Sequence, residues 1–493
     1  MGPQDVLALL FGSSLTIIVA DRLGRRLGAA RAAGYVTVAA LTTALLMSSS
    51  LPSGRYRPFP ATGIPVAELR VDEASRIFSL LFTSLGLLVA IYSLKYMEGE
   101  EGLGAYYLLL LLMVAGMVGV ALSNDLFTLY CFWELMSVTA YALVAFRWWH
   151  WEPVEAGLKY LVMSTLGALV ALYAISVIYG VAGTTNFDEL RSIFATLGDE
   201  GVVRLLAGLL LFGFGVTAAI APFHTWLPDA HPAAPSSISA MLSGVVIKAG
   251  VYAIARALLY ILPPTSGIGY LLMYVGLLTC TVGNLAALRQ LDVKRFLAYS
   301  SVANIGYIMV GMGAGYRAHL LGLTQFALAG VAGAMLHVIN HALGKGLLFL
   351  CTGSAIHVIK SRAIPDLEGC GRSMRITGIS SAIGLLNLAG IPPLAGFWSK
   401  LLIAYGLAGL LWDPLITMAL IVFIANAVLA AGYYIYLLMR LFRRRATGAG
   451  EVSPLMWGPE LALAAACLIL TLLLSHVLVH VYTGASALMG VVG

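Results

Sequence analysis

The chain has 493 residues, 60% of them hydrophobic and only 11% charged, with a mean hydropathy of +0.92. A soluble domain carries about 25% charge, so the composition excludes a soluble globular protein and points to an integral membrane protein. The formal charge of +6 sits in short segments between apolar runs, which argues against nucleic acid as a partner.

Apolar windows predict an all-α membrane protein of about fourteen transmembrane helices, over residues 4–20, 28–49, 75–93, 104–122, 125–146, 155–181, 203–221, 237–262, 268–288, 297–314, 322–350, 376–410, 415–440 and 458–482. The alternating pattern of a membrane barrel is absent. Helix 1 has its arginines after it, the reverse of a secretory signal, and reads as a retained span. Helix 7 stops at Pro222, before Phe223-His224-Thr225-Trp226-Leu227-Pro228-Asp229. Helix 12 is broken by Gly390-Ile391-Pro392-Pro393-Leu394-Ala395-Gly396. Such breaks free backbone groups at membrane depth, which is tolerable only where protein or water covers them.

The two broken helices lie five helices apart. The chain therefore divides into residues 1–103 (helices 1–3), 104–262 (helices 4–8), 268–440 (helices 9–13) and 441–493 (a loop and helix 14). A five-helix unit repeated in tandem must invert the second time, which is the inverted-repeat plan of many transporters. Basic residues follow helix 1 (Arg22, Arg25, Arg26, Arg31), helix 9 (Arg289, Lys294, Arg295), helix 11 (Lys360, Arg362, Arg372, Arg375) and helix 13 (Arg440, Arg443, Arg444, Arg445). Fewer lie on the opposite side, chiefly Arg55, Arg57, Arg70, Arg191 and Arg317. The positive-inside rule then places both termini on the non-cytoplasmic side of a cytoplasmic membrane.

Glu134 is read as the one carboxylate deep inside a membrane helix, where an ionised acid costs roughly 2.5–3.5 kcal/mol and so implies a partner and a task. Lys159, Lys248, Lys345 and Lys400 fall within or at the edges of apolar segments. Either they are snorkelling charges and static ion pairs, or they mark a proton or cation path, and their long apolar flanks favour the path. Lys159 can pair with Glu155, Glu152 or Glu134. His337, His341 and Lys345 are spaced four apart and share one helix face. Zinc binding by the two histidines lacks a third spaced ligand. His224, Asp229 and His231 are candidates for a channel mouth or a coupling surface, with loop hydrogen bonding as the alternative. Cys131, Cys280, Cys351, Cys370 and Cys467 have no metal or iron–sulfur spacing, and no Walker A sequence occurs, so no cofactor or metal site is expected.

As a set, Phe132-Trp133-Glu134-Leu135-Met136, Pro222-Phe223-His224-Thr225-Trp226-Leu227-Pro228-Asp229-Ala230, Leu297-Ala298-Tyr299-Ser300-Ser301 and Gly390-Ile391-Pro392-Pro393 with Gly396-Phe397 resemble one family. It comprises the antiporter-like subunits of complex I, the Mrp cation/proton antiporters and the membrane arms of energy-converting hydrogenases. The stretch from His231 to Met241 looks most like the hydrogenase and Mrp members. The resemblance implies fourteen helices with inverted repeats in helices 4–8 and 9–13. By it, Glu134 is the helix 5 glutamate, Lys248 the helix 8 lysine, His337 and His341 the central histidines, and Lys400 the helix 12 lysine. The family usually has a lysine five residues before the proline of helix 7, and Thr217 stands there.

The expectation is a non-redox subunit that moves protons, alone or in exchange for sodium, along Glu134, Lys159, Lys248, His337, His341, Lys345 and Lys400. Its partners would be other membrane subunits of a respiratory or hydrogenase-type complex, in a lipid bilayer. Two alternatives stay open: an autonomous secondary transporter of a small solute, and a structural membrane-arm subunit with one inactive half-channel.

Overall fold

The computed structural model describes residues 2–26, 31–58, 67–197, 199–443 and 450–491; Arg444 and Arg445 lie outside them. The molecule is a multi-pass helical membrane protein. Helices α1 (Pro3–Arg26), α2 (Ala32–Ser49), α3 (Glu73–Tyr96), α4 (Leu103–Leu122), α5 (Leu126–Val144), α6 (Trp151–Ala182) and α7 (Glu200–Ala218) come first. After them come α8 (Ser236–Ile261), α9 (Ser266–Ala287), α10 (Val293–Leu320) and α11 (Thr324–Ile359). The predicted helix 12 is two shorter helices, α12 (Arg375–Ala389) and α13 (Ala395–Ala408), ahead of α14 (Pro414–Leu441) and α15 (Pro454–Leu472). Apart from the α12–α13 pair, all thirteen are long and apolar enough to cross a membrane. The predicted last span runs into a second helix, Leu474–Met489, and a short helix at Phe187–Thr196 has no counterpart among the predicted spans.

Helix starts follow local chemistry. Asp72 begins α3 with a capping box, accepting from Ser75 N at 2.9 Å while its own N–H reaches Ser75 Oγ at 2.8 Å. Asp125 caps α5 through Thr128 N at 2.7 Å, and Asp292 caps α10 through Lys294 N at 2.8 Å. The two interrupted helices end alike. Ala219, just past α7, has φ 56°, and Gly390, just past α12, has φ 79°. This left-handed conformation suits glycine and costs an alanine roughly 1–2 kcal/mol.

The chain forms two compact units. The first comprises Met1–Ala218, Val245–Pro263 and Ala487–Gly493, and the second Ala219–Gly244 and Pro264–Ser486. Helix α8 is wholly buried and contains a π-helical turn, Leu242–Val246, just before Lys248. In the first unit, strands β1 (Gly54–Tyr56) and β2 (Leu69–Val71) pair antiparallel beside a polar network. There Asp72 binds Arg256 at 2.6 Å and Arg70 at 3.0 Å, and Asp188 binds Arg55 at 3.0 Å and Tyr260 Oη at 2.5 Å. In the second unit, α9 and α10 meet along glycines: a Cβ at Gly306 would lie 2.4 Å from Cys280 N, and one at Gly276 2.8 Å from Gly306 O. Small residues let membrane helices approach this closely and replace a hydrophobic driving force with packing.

Candidate functional site

The second unit gathers most of the predicted residues. His337, His341 and Lys345 run down α11 at four-residue intervals, all fully buried. The two imidazoles are nearly parallel, 8° apart, with ring centroids separated by 6.3 Å. His337 Nε2 lies 3.0 Å from Asn304 Oδ1 on α10, and its Nδ1 lies 2.9 Å from Ser399 Oγ on α13. The Asn304 amide nitrogen donates to Ser300 O at 2.6 Å and Tyr434 Oη at 3.1 Å, so its oxygen accepts and His337 Nε2 carries a proton. Ser399 has a second acceptor, Gly396 O at 3.1 Å. A neutral His337 accepts from Ser399; a cationic one donates to it, while the hydroxyl turns to Gly396. One extra proton is thus accommodated by rotating one hydroxyl.

Lysine ammonium groups stand near both ends of this row. Lys345 Nζ donates to Leu297 O at 2.9 Å and to Ser300 Oγ, and sits 5.5 Å from the centre of the Tyr434 ring. Lys400, the neighbour of Ser399, donates to Leu388 O at 3.1 Å and Ala389 O at 3.3 Å, and lies 5.3 Å from the Tyr307 ring centre. Those carbonyls close α12, where the last peptide oxygens have no intrahelical partner and the helix dipole is negative. No carboxylate forms an ion pair with either lysine among the described residues. Each makes two hydrogen bonds, the number that a neutral amine can also donate. The third proton can therefore leave without breaking a contact.

In the first unit, Lys248 is fully buried at the middle of α8, at the start of the half that follows its π-helical turn. That half packs closely on α7: a Cβ at Gly250 would lie 2.6 Å from Ala218 N. Glu134 on α5 is half-buried; its Oε1 is shielded from solvent without a hydrogen-bond partner, and it makes no ion pair among the described residues. It lies within electrostatic reach of Tyr130, Tyr141 and Tyr160. Thr217 is fully buried, and its hydroxyl has no hydrogen-bond partner among the described residues. Of the three carboxylates open to Lys159, the structure shows an ion pair to Glu155 at 2.9 Å, with both side chains about half exposed. The other motif residues lie in the second unit. His231 is buried with its ring stacked 4.4 Å from Phe349, Asp229 pairs with Arg295 at 2.5 Å, and His224 sits 6.3 Å from Tyr299.

One expectation needs correction. Glu134 is not the one carboxylate buried in a membrane helix, because Glu460 on α15 is completely buried. It stands at the third residue of the span expected from the sequence, close to that span's end, whereas α15 starts at Pro454. Ser300 lay within the Leu297–Ser301 motif without a role of its own, and nothing in the sequence assigned a role to Asn304, Ser399 or Tyr434. Only the adjacency of Ser399 to Lys400 could have signalled any of them, since neutral polar residues are common in membrane helices.

Comparison with known proteins bears on the whole arrangement. Residues 123–428 match the family described as NADH:quinone oxidoreductase/Mrp antiporter, TM, and residues 65–107 match NADH-Ubiquinone oxidoreductase (complex I), chain 5 N-terminus. The chain is 32% identical over 404 residues to NADH-quinone oxidoreductase subunit N of Desulforudis audaxviator, covering 80% of this chain and 78% of that protein. It is 34% identical over 338 residues to hydrogenase-4 component B of Escherichia coli, covering 67% of this chain but only 50% of that longer protein. Among solved structures, a chain of the membrane-bound sulfane sulfur reductase, an archaeal respiratory membrane complex, superposes with TM-score 0.86 at 27% identity, covering 99% of this chain and 97% of that one.

Proposed function

Because the chain belongs to the NADH:quinone oxidoreductase/Mrp antiporter transmembrane family, we propose that it is a proton-translocating membrane subunit of a respiratory or hydrogenase-type complex. The observation that carries this reading is the row Lys400, Ser399, His337, His341, Lys345 in the second unit. Its lysines can lose a proton without losing a hydrogen bond, and its first histidine takes one up by a hydroxyl rotation. Along α11, His341 and Lys345 follow at about 6 Å of rise per step, a spacing that water can bridge. The related chains are named as a subunit and a component of larger assemblies, which favours membrane-subunit partners over an autonomous solute transporter. Electron transfer belongs to those partners, and this chain contributes the ion path. Both termini face away from the cytoplasm, with the basic loops inside.

A specific observation favours a second reading for the first unit. Glu134 has no ion pair, Thr217 occupies the position where the family usually has lysine, and Lys159 is engaged at a half-exposed position with Glu155. The first half-channel is then structural or altered, with Lys248 still buried in α8. The test is Lys345→Ala and Lys248→Ala in the assembled complex, with proton uptake measured in inverted membrane vesicles. Lys345→Ala should abolish uptake, with the chain still present in the complex; normal uptake in that variant would refute the reading. Undiminished uptake in Lys248→Ala assigns the first unit to structure, and a loss keeps it in the path.

A further inference from the structure

Glu460 is absent from the row just described, yet it is the most completely buried carboxylate among the described residues. On α15 its Oε1 accepts from Ser354 Oγ of α11, and its Oε2 lies 2.8 Å from Thr377 Oγ1 of α12. The same Thr377 Oγ1 lies 2.8 Å from Oε1 of Glu451, which is exposed. Glu451 in turn uses Oε2 to accept from Ile376 N at 2.7 Å and Thr377 N at 3.4 Å, in the first turn of α12. A helix N-terminus stabilises an anion, so Glu451 is the member that stays ionised.

A proton count decides the state of the pair. Thr377 carries one hydroxyl proton and cannot donate to two carboxylates at once. Both 2.8 Å contacts are hydrogen bonds only if one acid is protonated. The groups facing Glu460 are Ser354 and Cys351 of α11, Thr377 of α12 and the Glu451 carboxylate, and no cation forms an ion pair with it among the described residues. An unpaired buried carboxylate is costly, so the proton rests on Glu460. Glu460 then donates to Thr377, which donates to Glu451, and the wire runs from the interior to an exposed group.

A separate feature extends the wire inward. A cavity of about 20 Å³ has a mostly apolar lining, including Leu297 of α10 and Leu437 of α14, with polar groups from Cys351 and Thr352 of α11 and Thr377 and Ser381 of α12. One water needs roughly 10–15 Å³, so water fits. Leu297 is the residue whose carbonyl accepts from Lys345. We propose that Glu460, Thr377 and Glu451 form a proton-exchange site through which Lys345 communicates with the face bearing Arg372, Arg375 and Arg440. In the transfer step, the Glu460 O–H bond breaks as its proton passes to Thr377 Oγ1. The original Thr377 proton passes to Glu451 Oε1 in the same step, and the hydroxyl is restored. One proton has moved between the carboxylates, and no oxidant or reductant is required.

The inference rests on the second unit being a proton path, so the test carries its own control. Proton uptake is measured on the full complex in inverted membrane vesicles for Glu460→Gln, Glu460→Asp, Thr377→Val and Lys345→Ala, with the amount of chain in the complex quantified. Glu460→Gln and Thr377→Val should each slow uptake about tenfold or more, the scale of a lost proton relay. Glu460→Asp, which still carries a proton, should retain more. The difference infrared spectrum between neutral and alkaline pH should lose a protonated-carboxyl band in Glu460→Gln. Normal uptake in Glu460→Gln and Thr377→Val beside an inactive Lys345→Ala overturns this route and leaves the path intact. Normal uptake in Lys345→Ala overturns the underlying function instead. If Glu460→Gln does not assemble, Thr377→Val decides, because it removes the hydroxyl while keeping the side-chain shape.

Discussion

Asp72 shows how one side chain can secure a helix start and answer to pH. Burial pushes its pKa up, but Arg256 at 2.6 Å and Arg70 at 3.0 Å more than offset this and hold it below the ordinary 3.8. A folded-state pKa below the unfolded one means that the unfolded chain takes up the proton more readily. The stabilisation is therefore fully present above about pH 4 and drains away as pH falls through the folded value. Thermal unfolding in detergent should show Asp72→Asn less stable than the parent at pH 7, and the gap should narrow below pH 4. Removing the carboxylate also strands the buried Arg256, so a loss of about 3–5 kcal/mol is expected at neutral pH. Thr217 tests a different residue-scale idea. Since Glu134 makes no ion pair among the described residues, Thr217→Lys should leave proton uptake unchanged or raise it. A fall in uptake with normal assembly would show that the first unit works by other means.

The elements are governed by breaks and seams. At the end of α12, Gly390 adopts φ 79°, and a Cβ there would lie 3.2 Å from Lys400 Nζ. Gly390→Ala should therefore strain the turn by about 1–2 kcal/mol and push the ammonium off the Leu388 and Ala389 carbonyls. Uptake should drop while the chain still inserts; unchanged uptake would separate Lys400 from the path. The α9–α10 seam allows less. With 2.4 Å from a Gly306 Cβ to Cys280 N, Gly306→Leu should prevent the two helices from closing, and limited proteolysis should detect it as loss of a protected core. These features differ in legibility. Gly390-Ile391-Pro392-Pro393 announces a break in any apolar run, because proline cannot continue the hydrogen-bond ladder. The φ 56° at Ala219 announces nothing, since alanine is an ordinary helix residue. The helical ends suffered similarly: α11 runs on to Ile359, nine residues past its predicted end, because nothing in Cys351–Val358 breaks a helix.

Across the whole molecule, the predicted orientation is open to direct measurement. A cysteine placed at Ser361, in the segment that follows α11, should react with a membrane-impermeant maleimide from the cytoplasmic side only. Reaction from the opposite side would invert the topology and the direction assigned to every proton step. Sequence alone determined that the chain is helical, crosses a membrane many times, breaks at two places five helices apart and buries several bases. Those conclusions follow from transfer free energies and backbone chemistry, which are local properties that any stretch of about twenty residues carries with it. The tertiary structure decided what each buried group touches. It set His337 between Asn304 and Ser399, gave Lys400 the spent carbonyls of α12, kept Lys159 with Glu155, and hid Glu460 behind Ser354 and Thr377. Those pairings join residues up to about a hundred positions apart, and they depend on the rotation of one helix against another. That rotation is set by packing between side chains far apart in the chain, which no local pattern records.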